Sequence, residues 1–259
     1  MNIGVSSYSF SRLVNDGVMS QLDVIPKAAE LGFESIEFAG FTLRDGECAL
    51  SFAENARLTC EKHGLAITNY PIGADFIQGS NGDLNAEIAR VKAEVRVAHV
   101  LGAPGMRHDA SCGFPADHPG ATSFDAALPR LKEGCLAVTE FAAELGIRTM
   151  VENHGYFCQD SNRVEKLICA VNHPNFGALV DIGNFACVDE NCPKAVGVLA
   201  PYALHVHIKD FHLKAGTLPF PGAGWFASRA GNHLRGAIIG HGDIPVLQCL
   251  RVLKSAGYE

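Results

Sequence analysis

The sequence predicts an α/β fold, a (β/α)8 TIM barrel, in a single domain spanning residues 1–259. Three observations predict it. Short β-branched, apolar runs alternate with longer stretches of helical period along the whole chain, the pattern of a parallel sheet with helices outside it. The length of 259 residues suits a barrel of about 250 residues. No linker or shift in composition divides the chain, and no Gly-x-Gly-x-x-Gly follows the first strand, which disfavours a doubly wound dinucleotide-binding sheet.

The first strand is read at 3–6, with a polar loop through Ser11. The first helix covers 22–31 and stops at Gly32, because glycine enters the left-handed conformation that ends a helix at no steric cost. The same stop recurs at Gly64, Gly102, Gly146 and Gly257. Between these stops lie a strand at 35–38, a helix at 51–63, a strand at 66–70 and a helix capped by Asp83 that runs to Leu101. A fourth strand at 105–108 leads through a loop containing Gly113, Pro115, Pro119 and Gly120 to a helix at 123–145. The fifth strand ends at Glu152, and a helix follows at 162–171. The sixth strand carries Asp181, a helix covers 193–199, and the seventh strand carries His207. The segment from Asp210 to Gly242 is read as a loop rich in glycine and aromatics; at about thirty residues it is long enough to be a lid. Asp243 is expected to cap a seventh helix ending near Ala256. A (β/α)8 barrel needs an eighth strand after it. The expectation is that this strand is missing and the chain truncated at its C-terminus, since an open barrel leaves strand edges unpaired.

Composition narrows the functions. A net charge of -7 argues against a nucleic-acid surface, which needs a basic stripe. No apolar run approaches the ~20 residues of a membrane span, and the N-terminus lacks the basic and apolar regions of a signal peptide. The 9 cysteines form no Cys-x-x-Cys pair, which suits buried thiols in a reducing compartment. A cytoplasmic protein is expected, with neither nucleic acid nor membrane as partner.

The residues with chemistry cluster at strand ends. Met150-Val151-Glu152-Asn153-His154-Gly155 closes the fifth strand, Asp181-Ile182-Gly183-Asn184 the sixth, and His205-Val206-His207-Ile208-Lys209-Asp210 the seventh. The steps between Glu152, Asp181 and His207 each approach the roughly 30 residues of one βαβ unit. Three consecutive strands then deliver two carboxylates and an imidazole to one end of the barrel, a donor set for a divalent metal. Each residue alone has a plainer reading: a helix-facing salt bridge for Glu152, turn chemistry for Asp181, a satisfied core histidine for His207. Such an ion would stabilise an enediolate while Glu152 moves a proton to or from carbon. Glu37, His108, His154, Asn184 and Lys209 are candidates for substrate binding. Trp225, Arg229 and His241 are candidates for the lid or rim.

These motifs, with Ile239-Gly240-His241-Gly242-Asp243, resemble the xylose isomerase-like TIM-barrel superfamily, more narrowly its sugar phosphate isomerase/epimerase members. The likeness runs from Ser7-Tyr8-Ser9-Phe10 to Ala256-Gly257-Tyr258. It implies one divalent metal, manganese, magnesium, cobalt or zinc, held by Glu152, Asp181 and His207. It also implies a fourth ligand, a glutamate on the last strand beyond residue 259, which would be the second catalytic carboxylate beside Glu152. A homo-oligomer is compatible with the family. The chain departs from the ketose 3-epimerase pattern at Asn184, where a histidine is usual, and near Leu213, where many carry an arginine; both point away from a simple ketohexose. The leading expectation is a metal-dependent isomerase or epimerase of a sugar or keto-polyol. The alternative is a dehydratase of inosose or dehydroshikimate type. An endonuclease IV-like repair enzyme and a non-catalytic sugar-binding barrel rank below both.

Overall fold

The computed structural model describes residues 3–258; Met1, Asn2 and Glu259, which the expected domain includes, lie outside the described residues. Two parallel sheets form most of a barrel wall. The first holds β1 (Gly4–Ser6), β2 (Ser35–Glu37) and β3 (Ala66–Asn69); the second holds β4 (Gly105–His108), β5 (Arg148–Glu152), β6 (Phe176–Asp181) and β7 (Ala203–His207). Tyr70 N donates to Gly105 O at 3.0 Å and Ile72 N to Arg107 O at 2.8 Å, joining the sheets just past the end of β3. The strands follow sequence order, as short right-handed strand–helix–strand crossovers require. Among the described residues no ladder joins β7 to β1, so the barrel is not closed.

The helical layer is α1 (Ser11–Asn15), α2 (Val24–Glu30), α3 (Ala49–His63), α4 (Leu84–Leu101), α5 (Phe124–Glu144), α6 (Ser161–Val171), α7 (Cys192–Leu199) and α8 (Val246–Ser255). Each longer helix buries an apolar face on the strands: Val91, Val95 and Ala98 from α4, and Leu131, Cys135 and Val138 from α5, are essentially inaccessible. No helix among the described residues is long and apolar enough to cross a membrane.

Three expectations change. The polar loop after β1 is a 3-10 turn, Ser7–Phe10, running into α1; Ser6 caps it by accepting from Tyr8 N. The segment read as a loop from Asp210 to Gly242 contains an antiparallel sheet of β8 (Asp210–Lys214), β9 (Phe226–Ala227) and β10 (His233–Ala237), in the order β8-β10-β9. Asp243 does not cap the last helix, which starts at Val246; its carboxylate accepts from Leu213 N at 2.7 Å instead. Asp210 organises the return to α8. Its carboxylate accepts backbone N–H groups from Phe211, Gly240, Gly242 and Ile244. Position 242 admits only glycine, because a Cβ there would stand 2.1 Å from that carboxylate.

Glu87, in the first turn of α4, anchors the loop above β3. Its side chain is 3 % exposed and accepts from Asp75 N, Ser80 Oγ and both Nε and Nη2 of Arg90. Burial alone would raise its carboxyl, but Arg90 and these donors outweigh that and hold it below the usual carboxylate range. A group depressed in the folded state contributes stability above its unfolded pKa and loses it as pH falls through the folded one. Glu87→Gln should therefore cost about 1–2 kcal/mol at neutral pH, and the gap to the parent should narrow below about pH 4. Urea unfolding at both pH values measures it; a gap that widened on acidification would contradict the assignment.

Candidate functional site

Side chains alternate along each strand, and contacts identify the inward set. Glu37 on β2 meets His207 on β7, Arg107 on β4 meets Glu152 on β5, and Asp181 on β6 meets Lys209 just past β7. These pairs lie inside the barrel at the C-terminal ends of the strands, where barrel enzymes work. Thr149, one face away on β5, contacts Thr139 of α5 at 2.8 Å, so the odd positions of that strand face the helices.

Asn153 locks the two central strand ends together. Its amide donates to Asp181 O at 2.9 Å and accepts from Asp181 N at 2.8 Å, placing Glu152 and Asp181 side by side. Asp181 is fully buried. Its Oδ1 accepts from the N–H groups of Gly183 and Asn184, which open the 3-10 turn Asn184–Val188. Its Oδ2 lies 2.9 Å from Lys209 Nζ. The turn fits because Gly183 has no Cβ, which would stand 2.8 Å from Lys209 O. Asn184 Nδ2 donates to Glu152 Oε1 at 3.1 Å, while its Oδ1 accepts from Lys209 Nζ at 2.9 Å.

His207 stands between two carboxylates: Nδ1 is 3.6 Å from Glu152 Oε1 and Nε2 is 2.8 Å from Glu37 Oε1. Donor atoms of Glu152, Asp181 and His207 lie within 4.8 Å of one another, and so do those of Glu37, His205 and His207. Burial would raise the Glu152 carboxyl, but Arg107 and then His207 outweigh it and hold it well below the usual range. Burial likewise opposes ionisation of Glu37, and contact with His207 overrides it. Burial would lower His207, yet Glu152 and Glu37 push it up to about 10. Burial dominates for His205 and pulls it down.

The structure brings Glu37, Asn184 and Lys209 to this cluster. His154 stands at its rim, half exposed, with Nδ1 3.1 Å from Asp109 Oδ1. His108 is elsewhere: it is fully buried, edge-on to Phe76 and stacked on Phe176. Arg107 takes the inward position on that strand. Trp225 carries Lys214 Nζ over its ring at 5.1 Å, and His241 sits in an exposed turn. Arg229 pairs with both oxygens of Asp160. The residues that sequence reasoning missed are Arg107, Asn69 and the lock Asn153. The signal for Arg107 was an arginine inside a buried strand, in register with Met150 and so on the Glu152 face.

The donor set suits a divalent ion, with hard carboxylate oxygens and one imidazole. Of the Glu152, Asp181 and His207 set, the carboxylate oxygens Glu152 Oε2 and Asp181 Oδ2 are buried without a well-aligned hydrogen bond. Each meets an oppositely charged group at ion-pair distance instead. A cation imposes no hydrogen-bond angle, so such atoms fit one.

The sequence pattern of the family described as "Xylose isomerase-like TIM barrel" matches residues 25–259, and the chain belongs to that family. No curated protein matches it. Among solved structures, a xylose isomerase domain protein from Planctomyces limnophilus is similar at 17 % identity and TM-score 0.73, covering 100 % of this chain and 86 % of that one. The probable 3-DHS dehydratase AsbF from Bacillus anthracis is similar at 18 % identity and TM-score 0.72, covering 100 % and 90 %. D-psicose 3-epimerase from Clostridium cellulolyticum H10, with D-tagatose, is similar at 17 % identity and TM-score 0.71, covering 100 % and 82 %. At these identities the likeness establishes the fold.

Removing the strand-end lock tests the geometry. Asn153→Ala leaves the Asp181 N–H and C=O buried without partners and should cost about 2–4 kcal/mol. A denaturation midpoint indistinguishable from the parent would show that the two strand ends are held by other means.

Proposed function

We propose that the protein is a divalent-metal-dependent isomerase or epimerase acting on a sugar or keto-polyol by proton transfer. The observation that carries this reading is the convergence of Glu152, Asp181 and His207 donor atoms within 4.8 Å at the ends of three consecutive parallel strands. When bound, the ion supplies positive charge beside a substrate carbonyl or hydroxyl and stabilises the negative charge that develops on oxygen as the adjacent C–H ionises. Glu152 is the base. It is ionised, and it would accept the carbon-bound proton and return it once substrate loosens the Arg107 contact that holds its carboxyl low. Asn184 holds one of its oxygens, and Lys209, tied to Asp181 and Asn184, stands where it can meet a substrate oxygen. Epimerases among the similar structures support a carbohydrate substrate.

A second reading, elimination of water from a carboxylated polyol, is favoured by the two cations Arg107 and Lys209 at the same carboxylates. The same base would remove the proton from carbon, and the β-hydroxyl would leave as water by taking a proton from the newly protonated Glu152 or from the Lys209 ammonium. Product mass separates the two, since isomerisation conserves it and elimination does not.

The test starts with elemental analysis of chain purified without chelator. We expect near-stoichiometric manganese, magnesium, cobalt or zinc in the parent and loss of that ion in Asp181→Ala. With a turned-over keto-sugar in hand, Glu152→Gln should lower kcat by roughly 10²–10⁴-fold. A parent that takes up no ion, or a Glu152→Gln variant with unchanged turnover, would remove the basis of the proposal.

A further inference from the structure

We infer that Glu37 is a positioning residue: its carboxylate takes the Nε2 side of the His207 ring and so presents Nδ1 to Glu152 and Asp181. This rests on the proposed metal reading of that trio. Glu37 ends β2, across the barrel from β7, and is 4 % exposed. Its Oε1 lies 2.8 Å from His207 Nε2, while His207 Nδ1 faces Glu152 Oε1 at 3.6 Å. The other oxygen is held by Asn69, whose Nδ2 donates to Oε2 at 3.3 Å; Asn69 is the neighbour of Glu37 across the β2–β3 ladder. His205 Nε2 approaches the same Oε2 at 3.5 Å. Glu37 is thus enclosed by Ser6, Asn69, His205 and His207.

Glu37 Oε1 and His207 Nε2 meet at ion-pair distance without an aligned hydrogen bond, and neither atom is hydrogen-bonded elsewhere. A buried carboxylate facing a ring nitrogen fixes which nitrogen keeps its proton, because the acceptor favours N–H at that position. When the ring gives up one proton to take an ion, Nδ1 is then the nitrogen left with a lone pair, on the side of Glu152. Metal-binding histidines are commonly oriented in this way, by a carboxylate on the ring's other nitrogen. The trio Glu37, His205 and His207 could instead be imagined as a second cation site. That would require Nε2 as a ligand, and a neutral imidazole has one lone-pair nitrogen, so it cannot serve an ion on each side. Two ions would need the ring fully deprotonated. The geometry is simpler with one ion at Nδ1 and the carboxylate of Glu37 at Nε2.

Calorimetric titration of the full chain with manganese tests this through affinity and stoichiometry, independently of activity. We expect one ion per chain in the parent and in both Glu37→Ala and Glu37→Gln. Affinity should fall by roughly 10–100-fold in Glu37→Ala. It should fall less in Glu37→Gln, whose amide oxygen preserves an acceptor at the same place. In the zinc-loaded parent, nitrogen-15 NMR should report His207 protonated at Nε2. Unchanged affinity in a folded Glu37→Gln together with Glu37→Ala overturns the role, as does a His207 protonated at Nδ1. If Glu37→Ala does not fold, the Glu37→Gln affinity and the parent's NMR signature decide. Two ions in the parent and one in the variants would make Glu37 a ligand and also overturn it. A parent that binds no ion removes the metal reading itself, an outcome distinct from equal binding by parent and variants.

Discussion

Three carboxylates, those of Glu37, Glu152 and Asp181, stand inside the barrel with no more than 4 % of each residue exposed. Ionised groups so placed are tolerated only when each is paired, since a lone buried charge costs several kcal/mol. The interior answers with His207 against Glu37, Arg107 against Glu152 and Lys209 against Asp181. The polar residues are therefore coupled. His207 touches two of the carboxylates, and Asn184 links Glu152 to Lys209. The apolar work of folding is left to the outer faces of the strands and the helices around them, where Ile36, Met106, Val151 and Val180 are fully buried.

Side-chain hydrogen bonds to the backbone hold the strand ends of this cluster in place. The Asn153 amide spans two strand ends with two hydrogen bonds, and the turn after Asp181 uses one carboxylate oxygen to satisfy two N–H groups. The small antiparallel sheet beyond β7 is tied to the barrel by the same economy. Asp189 accepts from Ser228, Ala230 and Asn232, and Tyr156 Oη donates to Ala227 O. Sites supported by rigid strand ends and hydrogen bonds from the layer behind them keep their geometry.

Much of this was legible in the chain itself, for physical reasons that also mark where legibility stopped. Helix-ending glycines and the alternation of strand and helix gave the parallel barrel wall, because both are local. Glu152, Asp181 and His207 could be grouped because strand ends at βα spacing fall at one end of a parallel sheet. Strand phase was harder. β4 has only four residues, Gly105–His108, too few for alternation to tell Arg107 from His108, and its inward face is set by pairing with β5. The sheet of β8, β9 and β10 was hidden for another reason: its strands are separated by glycine and proline, and the ladder pairing His233 with Lys214 is non-local. Asp243 looked like a cap because it precedes a helical pattern; the hydrogen bond it makes to Leu213 N depends on that same unseen sheet. The pairing of Glu37 with His207 spans the barrel, and no spacing rule reports a contact of that kind.

The fold leaves the choice of reaction to a few side chains. Solved structures named for an epimerase and for a dehydratase match this chain about equally well, so the barrel does not discriminate between them, as expected where function resides in the site. Isomerisation and elimination both begin with a proton leaving carbon; they part at the next bond, when either the proton returns or a hydroxyl departs. The groups that can influence that step are those beside Glu152. Asn184 holds Glu152 with a neutral amide, which cannot protonate a leaving oxygen. Lys209 carries N–H donors and is 38 % exposed along its side chain, so of the groups tied to the cluster it is the one placed both to pair with Asp181 and to reach a ligand oxygen. On the proposed reading, the balance between the two chemistries turns on where the Lys209 ammonium sits relative to the departing or retained hydroxyl.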